Sequence, residues 1–122
     1  MSKKILVVDD EPHIVMLVQS RLMAEGYDVV TSSDGQDALE KVRQSKPDLI
    51  ILDLSLPVMD GFQVCSALRA DSVTAAIPIV MLTAHRDAQD ITKATELGAV
   101  SYVQKPFKAE ILLGIIQGFI ND

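Results

Sequence analysis

Five polar residues stand where short apolar runs of this sequence stop: Asp9 and Asp10 after the first run, Asp53 after the third, Thr83 after the fourth and Lys105 after the fifth. A chain often carries polar residues where it leaves the core, so one acid alone is best explained as a solvated turn residue. Carboxylates as close as Asp9 and Asp10 repel each other unless a positive charge lies among them. The five groups together therefore indicate either solvated strand ends or a site that holds a positive charge.

The apolar runs have the length and residue types of β-strands. They are Ile5–Val8, Val29–Thr31, Leu49–Leu52, Ile79–Leu82 and Val100–Val103. Short unbroken runs of this kind are typical of strands buried on both faces. Segments with helical spacing separate them: one through Ile14, Leu17, Val18, Arg21 and Leu22 that stops at Gly26; one from a capping Asp34 to just before Pro47; one through Phe62, Val64, Cys65 and Leu68; one through Ile91, Ala94 and Leu97 that stops at Gly98; and one from Phe107 to the end of the chain.

Strands that alternate with helices of about ten residues predict a parallel sheet with both faces covered. Because crossover connections are right-handed, the sheet should be doubly wound, with helices on each side. In such α/β sheets, ligands bind beyond the carboxyl ends of the strands, where the strand order reverses. This rule places all five polar residues at the same edge of the sheet and makes that edge the expected site.

Composition limits the classes of protein that the chain can belong to. Its 122 residues are 48% hydrophobic and 23% charged, as in one globular domain. The formal net charge of -6 argues against direct binding to nucleic acid or to an anionic membrane. The single cysteine, Cys65, excludes an internal disulfide and suits a reducing compartment. The N-terminal segment has too few apolar residues for a signal peptide or a membrane span, so we expect a soluble cytoplasmic protein.

Four motifs occur in a fixed order along the chain. They are Asp9-Asp10, the stretch DLSLPVMDG that begins at Asp53, Thr83-Ala84 and Lys105-Pro106. In these motifs and their intervals the sequence resembles the receiver domain of bacterial two-component response regulators, the family of the chemotaxis regulator. The resemblance covers essentially all of residues 1–122, which implies one receiver domain. It also implies a flavodoxin-like three-layer sandwich, in which a five-stranded parallel sheet of order 2-1-3-4-5 lies between five helices.

The resemblance implies that Asp53 is a nucleophile, which accepts a phosphoryl group from a phosphohistidine and forms an acyl phosphate. Because a carboxylate must then attack a group with negative oxygens, a divalent cation has to offset the charge. The expected cation is Mg²⁺, for which Mn²⁺ can substitute. Its implied ligands are Asp10, Asp53 and the main-chain carbonyl of Ser55, with Asp9 acting through a water molecule. Glu11 is either a further acid of this site or a first-turn acid favoured by the helix dipole.

Further roles follow from the same resemblance. Lys105 would pair with a phosphoryl oxygen, aimed by a cis peptide bond to Pro106. Thr83 would donate its hydroxyl to another oxygen, and the amides of Leu54 and Ala84 would complete the cradle. For Thr83 the alternative is an ordinary β-branched strand end.

Three other residues are expected around this cradle. Tyr102 is the implied switch aromatic, whose ring moves into the space that Thr83 leaves on phosphorylation; the alternative is an ordinary half-exposed tyrosine. Ser55 and His85 would flank the phosphoryl group and tune its hydrolysis by placing or blocking water, although His85 also fits a solvated loop.

The implied partners are a sensor histidine kinase or a histidine phosphotransfer protein. The chain would be primarily a signalling switch, which catalyses its own phosphorylation and dephosphorylation and signals through the face made by the fourth helix, fifth strand and fifth helix. Within the family, a free-standing receiver and a receiver from a longer regulator or hybrid kinase both stay open.

The last helix has an unusually wide apolar arc. We expect one stripe of it to cover the sheet, namely Ile111, Leu112, Ile115 and Phe119. Leu113, Ile116 and Ile120 extend the arc to about half of the helix. This second stripe would contact a homodimer mate, a target protein or a downstream domain, or else be covered by neighbouring helices.

Two other classes of α/β protein fit the residues less well. A phosphatase of the haloacid-dehalogenase kind needs a second aspartate two residues after the nucleophile, whereas Asp53 is followed by Leu54 and Ser55. A flavodoxin-like electron carrier needs a phosphate-binding loop after the first strand, where the acids of this chain would repel a phosphate. A degenerate receiver would lack one of the key acids or the lysine, and all are present.

Overall fold

A computed structural model describes residues 2–120 of the chain. Strands and helices alternate along it: β1 (Lys4–Val8), α1 (Pro12–Ala24), β2 (Asp28–Ser32), α2 (Gly35–Ser45), β3 (Leu49–Leu52), α3 (Gly61–Ala70), β4 (Ile79–Thr83), α4 (Ala88–Glu96), β5 (Ser101–Gln104) and α5 (Ala109–Ile120). Each predicted apolar run therefore coincides with a strand to within one residue at either end. The predicted extension of the last helix over Asn121 and Asp122 lies outside the described residues.

The strands form one parallel sheet of order β2-β1-β3-β4-β5, as predicted. Strand β1 lies between β2 and β3. The chain places β2 on one side of β1 and then β3, β4 and β5 on the other side, so the strand order reverses at β1. Val8 at the end of β1 is in register with Leu52 at the end of β3. The residues that follow these two strands, Asp9 and Asp53, are therefore neighbours at the carboxyl edge.

The sheet has an apolar core on each face because successive side chains of a strand point to opposite sides. Helices α2, α3 and α4 cover the face that carries Leu6, Ile50 and Met81. Helices α1 and α5 cover the opposite face, which carries Ile5, Ile51 and Val80. The strands that carry the predicted site thus form a rigid layer buried on both sides.

Several helix ends follow the predicted signals. The side chain of Asp34 caps α2 by accepting a hydrogen bond from the Asp37 amide, as expected. Gly26 and Gly98, the predicted stops of α1 and α4, have φ angles of 91° and 103°, in the left-handed region that favours glycine. Helix α1 buries Val18 and Leu22 but leaves Leu17 exposed, although the sequence placed Leu17 on the same apolar face.

The assignment of the two stripes on α5 was wrong. The stripe that packs into the core consists of Leu112, Leu113, Ile116 and Ile120. Ile111 is 56% exposed and Phe119 is 47% exposed, although both were expected to cover the sheet. The reason is that α5 also packs beside α1, whose Val18 and Leu22 belong to the same core cluster. Three of the four residues in the buried stripe belong to the second stripe, for which the sequence left a partner and neighbouring helices open as alternatives, and the fold itself covers them.

Candidate functional site

Three aspartates meet at the carboxyl edge of β1 and β3. Asp9 and Asp53 are each only 3% exposed, whereas Asp10 points into solvent. The backbone fixes the buried pair: the Asp9 amide donates to the Ser32 carbonyl (3.1 Å) and the Asp53 amide donates to the Val8 carbonyl (3.0 Å). Carboxylate oxygens of the three aspartates lie within 4.8 Å of one another. The acids that the sequence placed together are therefore in contact range.

Lys105 brings a positive charge into this cluster. It follows β5, is only 8% exposed and is joined to Pro106 by the expected cis peptide bond. Its Nζ donates to Asp9 Oδ2 (2.7 Å), to Glu11 Oε1 (3.0 Å) and to Asp53 Oδ2 (3.2 Å). Glu11, whose role the sequence left open, thus contacts the lysine of the site.

The pKa values of Lys105 and Asp9 show how the cluster balances charge. Burial of the Lys105 amine works against its charge, but the hydrogen bonds that it donates to Asp9 and Glu11, together with the charge of Asp53, outweigh this and raise its pKa. Burial also raises the pKa of Asp9, and the negative charge of Asp53 adds to this effect. The ammonium is therefore stabilised strongly, while Asp9 is still costly to ionise.

The cluster has the chemistry of a divalent cation site. Hard cations such as Mg²⁺ take oxygen ligands, and carboxylates with waters are their usual set. The three aspartates offer such oxygens within 4.8 Å of one another, and Asp10 is open to solvent. The donor set therefore fits a divalent metal ion.

A second group of side chains lies beside the aspartates, at the end of β4 and on the loops after β3 and β4. The Ser55 amide donates to Asp53 Oδ1 (3.3 Å), and Thr83, which is fully buried, accepts a hydrogen bond on Oγ1 from the His85 amide (3.3 Å). Ser55 Oγ lies 2.6 Å from His85 Nε2. The structure thus brings together four residues that the sequence assigned to the site.

Tyr102 reaches the same group from β5. Its ring is half-buried against the core, and its hydroxyl donates to the His85 carbonyl (3.0 Å). Burial raises the pKa of this phenol, and the charges of Asp90 and Asp53 add to the effect. The predicted switch aromatic is therefore hydrogen-bonded to the residue that also contacts Thr83.

The remaining predicted residues lie in the same two loops. Leu54 is buried behind Asp53, and its carbonyl accepts hydrogen bonds from Leu56 and Gly61. Ala84 is exposed and directly follows Thr83. A Cβ at Gly61 would overlap the Asp53 carbonyl oxygen, so this glycine allows α3 to start close behind the candidate nucleophile. Sequence reasoning did not single out Gly61, although its place in the motif after Asp60 was visible.

Sequence reasoning also missed Asp90. Its Oδ2 lies 3.0 Å from His85 Nδ1, so the ring of His85 lies between Ser55 and Asp90. In the sequence, an acid in the first turn of a helix has an ordinary explanation in the helix dipole, and no spacing rule links it to Ser55.

No helix within residues 2–120 is long and apolar enough to cross a membrane.

Comparison with known proteins places the chain among relatives of one family. The family described as the response regulator receiver domain matches residues 5–117. The alkaline phosphatase synthesis transcriptional regulatory protein PhoP of Bacillus subtilis is 52% identical over 107 residues, which are 88% of this chain and 44% of PhoP. The chain spans about half the length of the curated relatives it matches.

Solved structures show the same fold. Chemotaxis protein CheY4 of Vibrio cholerae superposes with a TM-score of 0.92 at 36% identity, covering 98% of this chain and 100% of CheY4. The receiver domain of sensor histidine kinase PA1611 from Pseudomonas aeruginosa, which has a magnesium ion coordinated in its active-site cleft, superposes with a TM-score of 0.91 at 31% identity and covers 100% of both chains. These matches confirm the resemblance seen in the sequence. The chain belongs to the response regulator receiver domain family.

Proposed function

We propose that residues 1–122 act as one receiver domain, in which Asp53 accepts a phosphoryl group from the phosphohistidine of a sensor histidine kinase or histidine phosphotransfer protein. The observation that carries this proposal is the buried Asp53 carboxylate, which contacts the Lys105 amine and lies within reach of Asp9 and Asp10. In the transfer, an Asp53 oxygen attacks phosphorus, the P–N bond breaks, and its electron pair goes to the imidazole nitrogen, which takes up a proton.

The residues around Asp53 can stabilise the group that is transferred. One Asp53 oxygen is held by the Ser55 amide and the other by the Lys105 amine, which fixes the carboxylate for attack. A bound phosphoryl group would compete with the carboxylates for the Lys105 amine, a strong donor to anionic oxygens. Because Thr83 Oγ1 accepts from the His85 amide, its own hydrogen can be donated to a phosphoryl oxygen. The amides of Leu54 and Ala84 are the proposed further donors.

Mg²⁺ is the proposed cofactor, and Mn²⁺ is expected to substitute. Asp10, Asp53 and the Ser55 carbonyl would hold the ion, with Asp9 acting through a water. Support comes from the carboxylate cluster and from the receiver domain of PA1611, which holds magnesium in its cleft. When bound, the ion offsets the negative charge that the carboxylates and the phosphoryl oxygens bring together.

The proposed output is a change in the face formed by α4, β5 and α5. His85 and Tyr102 connect Thr83 to this face, and movement of Thr83 toward a phosphoryl group would change both contacts. Exposed Ile111 and Phe119 on α5 are candidates for contact with a second copy or a target protein. We propose that this domain acts in the cytoplasm and, at a net charge of -6, makes no direct contact with nucleic acid.

Intact-mass analysis after incubation with acetyl phosphate tests the proposal. We expect one added phosphoryl group, dependent on Mg²⁺ and absent in Asp53→Asn. Asp28→Asn, an exposed aspartate at the start of β2, is the matched control and should be modified like the wild type. A wild-type protein that acquires no phosphoryl group and binds no beryllofluoride would refute the proposal.

A further inference from the structure

His85 is the residue at which four parts of the site meet. Its amide donates to Thr83 Oγ1 (3.3 Å) and its carbonyl accepts from the Tyr102 hydroxyl (3.0 Å). Its ring lies 2.6 Å from Ser55 Oγ on one side and 3.0 Å from Asp90 Oδ2 on the other. The main chain of His85 is thus bound to the switch residues Thr83 and Tyr102, while its side chain contacts Ser55 in the loop after β3 and Asp90 in α4.

The contact between Ser55 and His85 joins the loop after β3 to the loop after β4. Ser55 belongs to the loop after β3 and is bound through its amide to Asp53. His85 belongs to the loop after β4 and is bound through its amide to Thr83. The Ser55–His85 pair therefore closes a continuous chain of hydrogen bonds from Asp53, the candidate nucleophile, to Thr83, the candidate hydrogen-bond donor to the phosphoryl group.

Asp90 determines how the His85 ring can take part in this chain. A carboxylate only accepts hydrogen bonds, so its contact requires a hydrogen on Nδ1. In the neutral ring, Nε2 then carries a lone pair and accepts the Ser55 hydroxyl hydrogen. Asp90 is itself held in the first turn of α4, where its amide donates to the Asp87 carbonyl (3.0 Å). A side chain on α4 thus orients the ring that contacts Ser55.

We propose that Asp90 is a positioning residue that lengthens the life of the phosphoryl group on Asp53 by holding Ser55 and His85 together. The inference rests on the proposed function. In hydrolysis, a water oxygen attacks phosphorus, the bond from phosphorus to the Asp53 oxygen breaks, the electron pair stays on the carboxylate, and both protons of the water leave with the phosphate as H₂PO₄⁻. While the Ser55 hydrogen and the Nε2 lone pair engage each other, neither orients a water for this attack.

Removal of Asp90 should therefore speed hydrolysis. Without the acceptor, the ring can rotate or place its hydrogen on Nε2, which releases Ser55 and opens a path for water. Loss of the neutral hydrogen bond between the Ser55 hydroxyl and the His85 ring should change the rate of hydrolysis by about twofold to tenfold.

The test compares phosphoryl lifetimes in variants of the whole chain. Each protein is loaded with acetyl phosphate and Mg²⁺, the donor is removed, and loss of the phosphoryl group is followed by intact mass. Asp90→Ala should shorten the lifetime by about twofold to tenfold. Asp90→Asn should give a lifetime between those of Asp90→Ala and the wild type, because its amide oxygen still accepts from Nδ1–H. Asp87→Ala removes the same charge from an exposed residue whose side chain makes no capping bond, and should match the wild type.

Two further measurements separate positioning from a general structural effect. Ser55→Ala should shorten the phosphoryl lifetime as Asp90→Ala does. The double variant should lose its phosphoryl group no faster than either single variant, because the two substitutions break the same chain of contacts. ¹⁵N NMR of the His85 ring should report the Nδ1–H tautomer in the wild type and a shift toward Nε2–H in Asp90→Ala. The inference would be overturned if Asp90→Ala left the phosphoryl lifetime unchanged, or if Asp90→Asn lost its phosphoryl group as fast as Asp90→Ala. A wild-type protein that takes no phosphoryl group would instead refute the proposed function and the inference together.

Discussion

The buried amine of Lys105 allows a direct measurement of how strongly the site depends on it. Lys105→Met removes the charge but keeps an unbranched side chain of similar length. The change leaves Asp9 and Asp53 buried without their shared ammonium partner. Breaking a buried ion pair by removing one partner costs about 3–5 kcal/mol. Because each aspartate keeps one backbone donor, from Glu11 and Ser55, we expect a loss near the lower limit, about 3 kcal/mol.

Urea unfolding followed by circular dichroism, at pH 7 with a chelator present, measures this loss. With a slope of about 1–3 kcal/mol per molar urea, the midpoint should fall by about 1–3 M. Lys108→Met is the matched control, because Lys108 is exposed and lies outside the acidic cluster. Adding Mg²⁺ should reduce the deficit of Lys105→Met, since a bound cation offsets the same carboxylates. A loss below about 1 kcal/mol, or a deficit that Mg²⁺ leaves unchanged, would show that solvent already screens Asp9 and Asp53 and would refute this reasoning.

Three other predictions concern pH, the thiol and two glycines. Because folding raises the pKa of Lys105, its charge stabilises the folded state fully below the unfolded-state pKa of about 10.4, and this stabilisation is lost as the pH rises above that value. The difference in unfolding free energy between the wild type and Lys105→Met should therefore shrink at pH values above about 10.4. Burial raises the pKa of Cys65 to about 11, so a thiol reagent at neutral pH should label it only as the protein unfolds; labelling of the native state would contradict the buried position. In urea unfolding, Gly61→Ala should lower the unfolding free energy by about 3 kcal/mol, because the added Cβ overlaps the Asp53 carbonyl. Gly114→Ala should instead raise the unfolding free energy by about 1 kcal/mol, because a Cβ there meets nothing within 4 Å and alanine favours the helix. Equal effects of the two substitutions would refute the steric argument.

The positions of the main site residues could be predicted because they depend on the path of the backbone, which the pattern of alternating strands and helices indicates. The carboxyl ends of parallel strands meet at one edge, so Asp9 and Asp53 had to be neighbours once their apolar runs were identified as adjacent strands. The contact of Asp90 with His85 could not be predicted in this way. It depends on the path of the loop after β4 and on a side-chain rotamer, and neither leaves a periodic signal in the sequence.

The orientation of α5 was beyond prediction for a different reason. Periodicity defines which arc of a helix is apolar, but the neighbours of the helix decide which part of a wide arc is buried. On α5 the contact with α1 shifts the buried part toward Leu113 and Ile120, and leaves Ile111 and Phe119 exposed. A single sequence contains no information on how α1 and α5 share one face of the sheet. The same limit explains why Leu17 of α1 is exposed.

The charge balance at the carboxyl edge connects the stability of the fold with its proposed activity. One ammonium group faces Asp9, Glu11 and Asp53, with Asp10 close by, so the cluster keeps an excess of negative charge. Because the fold raises the pKa of Asp9, ionising that carboxyl at neutral pH costs folding stability. A core built only for stability would put an apolar residue at this position. The retained charge favours any cation that enters, and a cation together with Lys105 is what a phosphoryl group needs on arrival. The destabilising feature of the edge and its proposed capacity for phosphoryl transfer thus have the same physical origin.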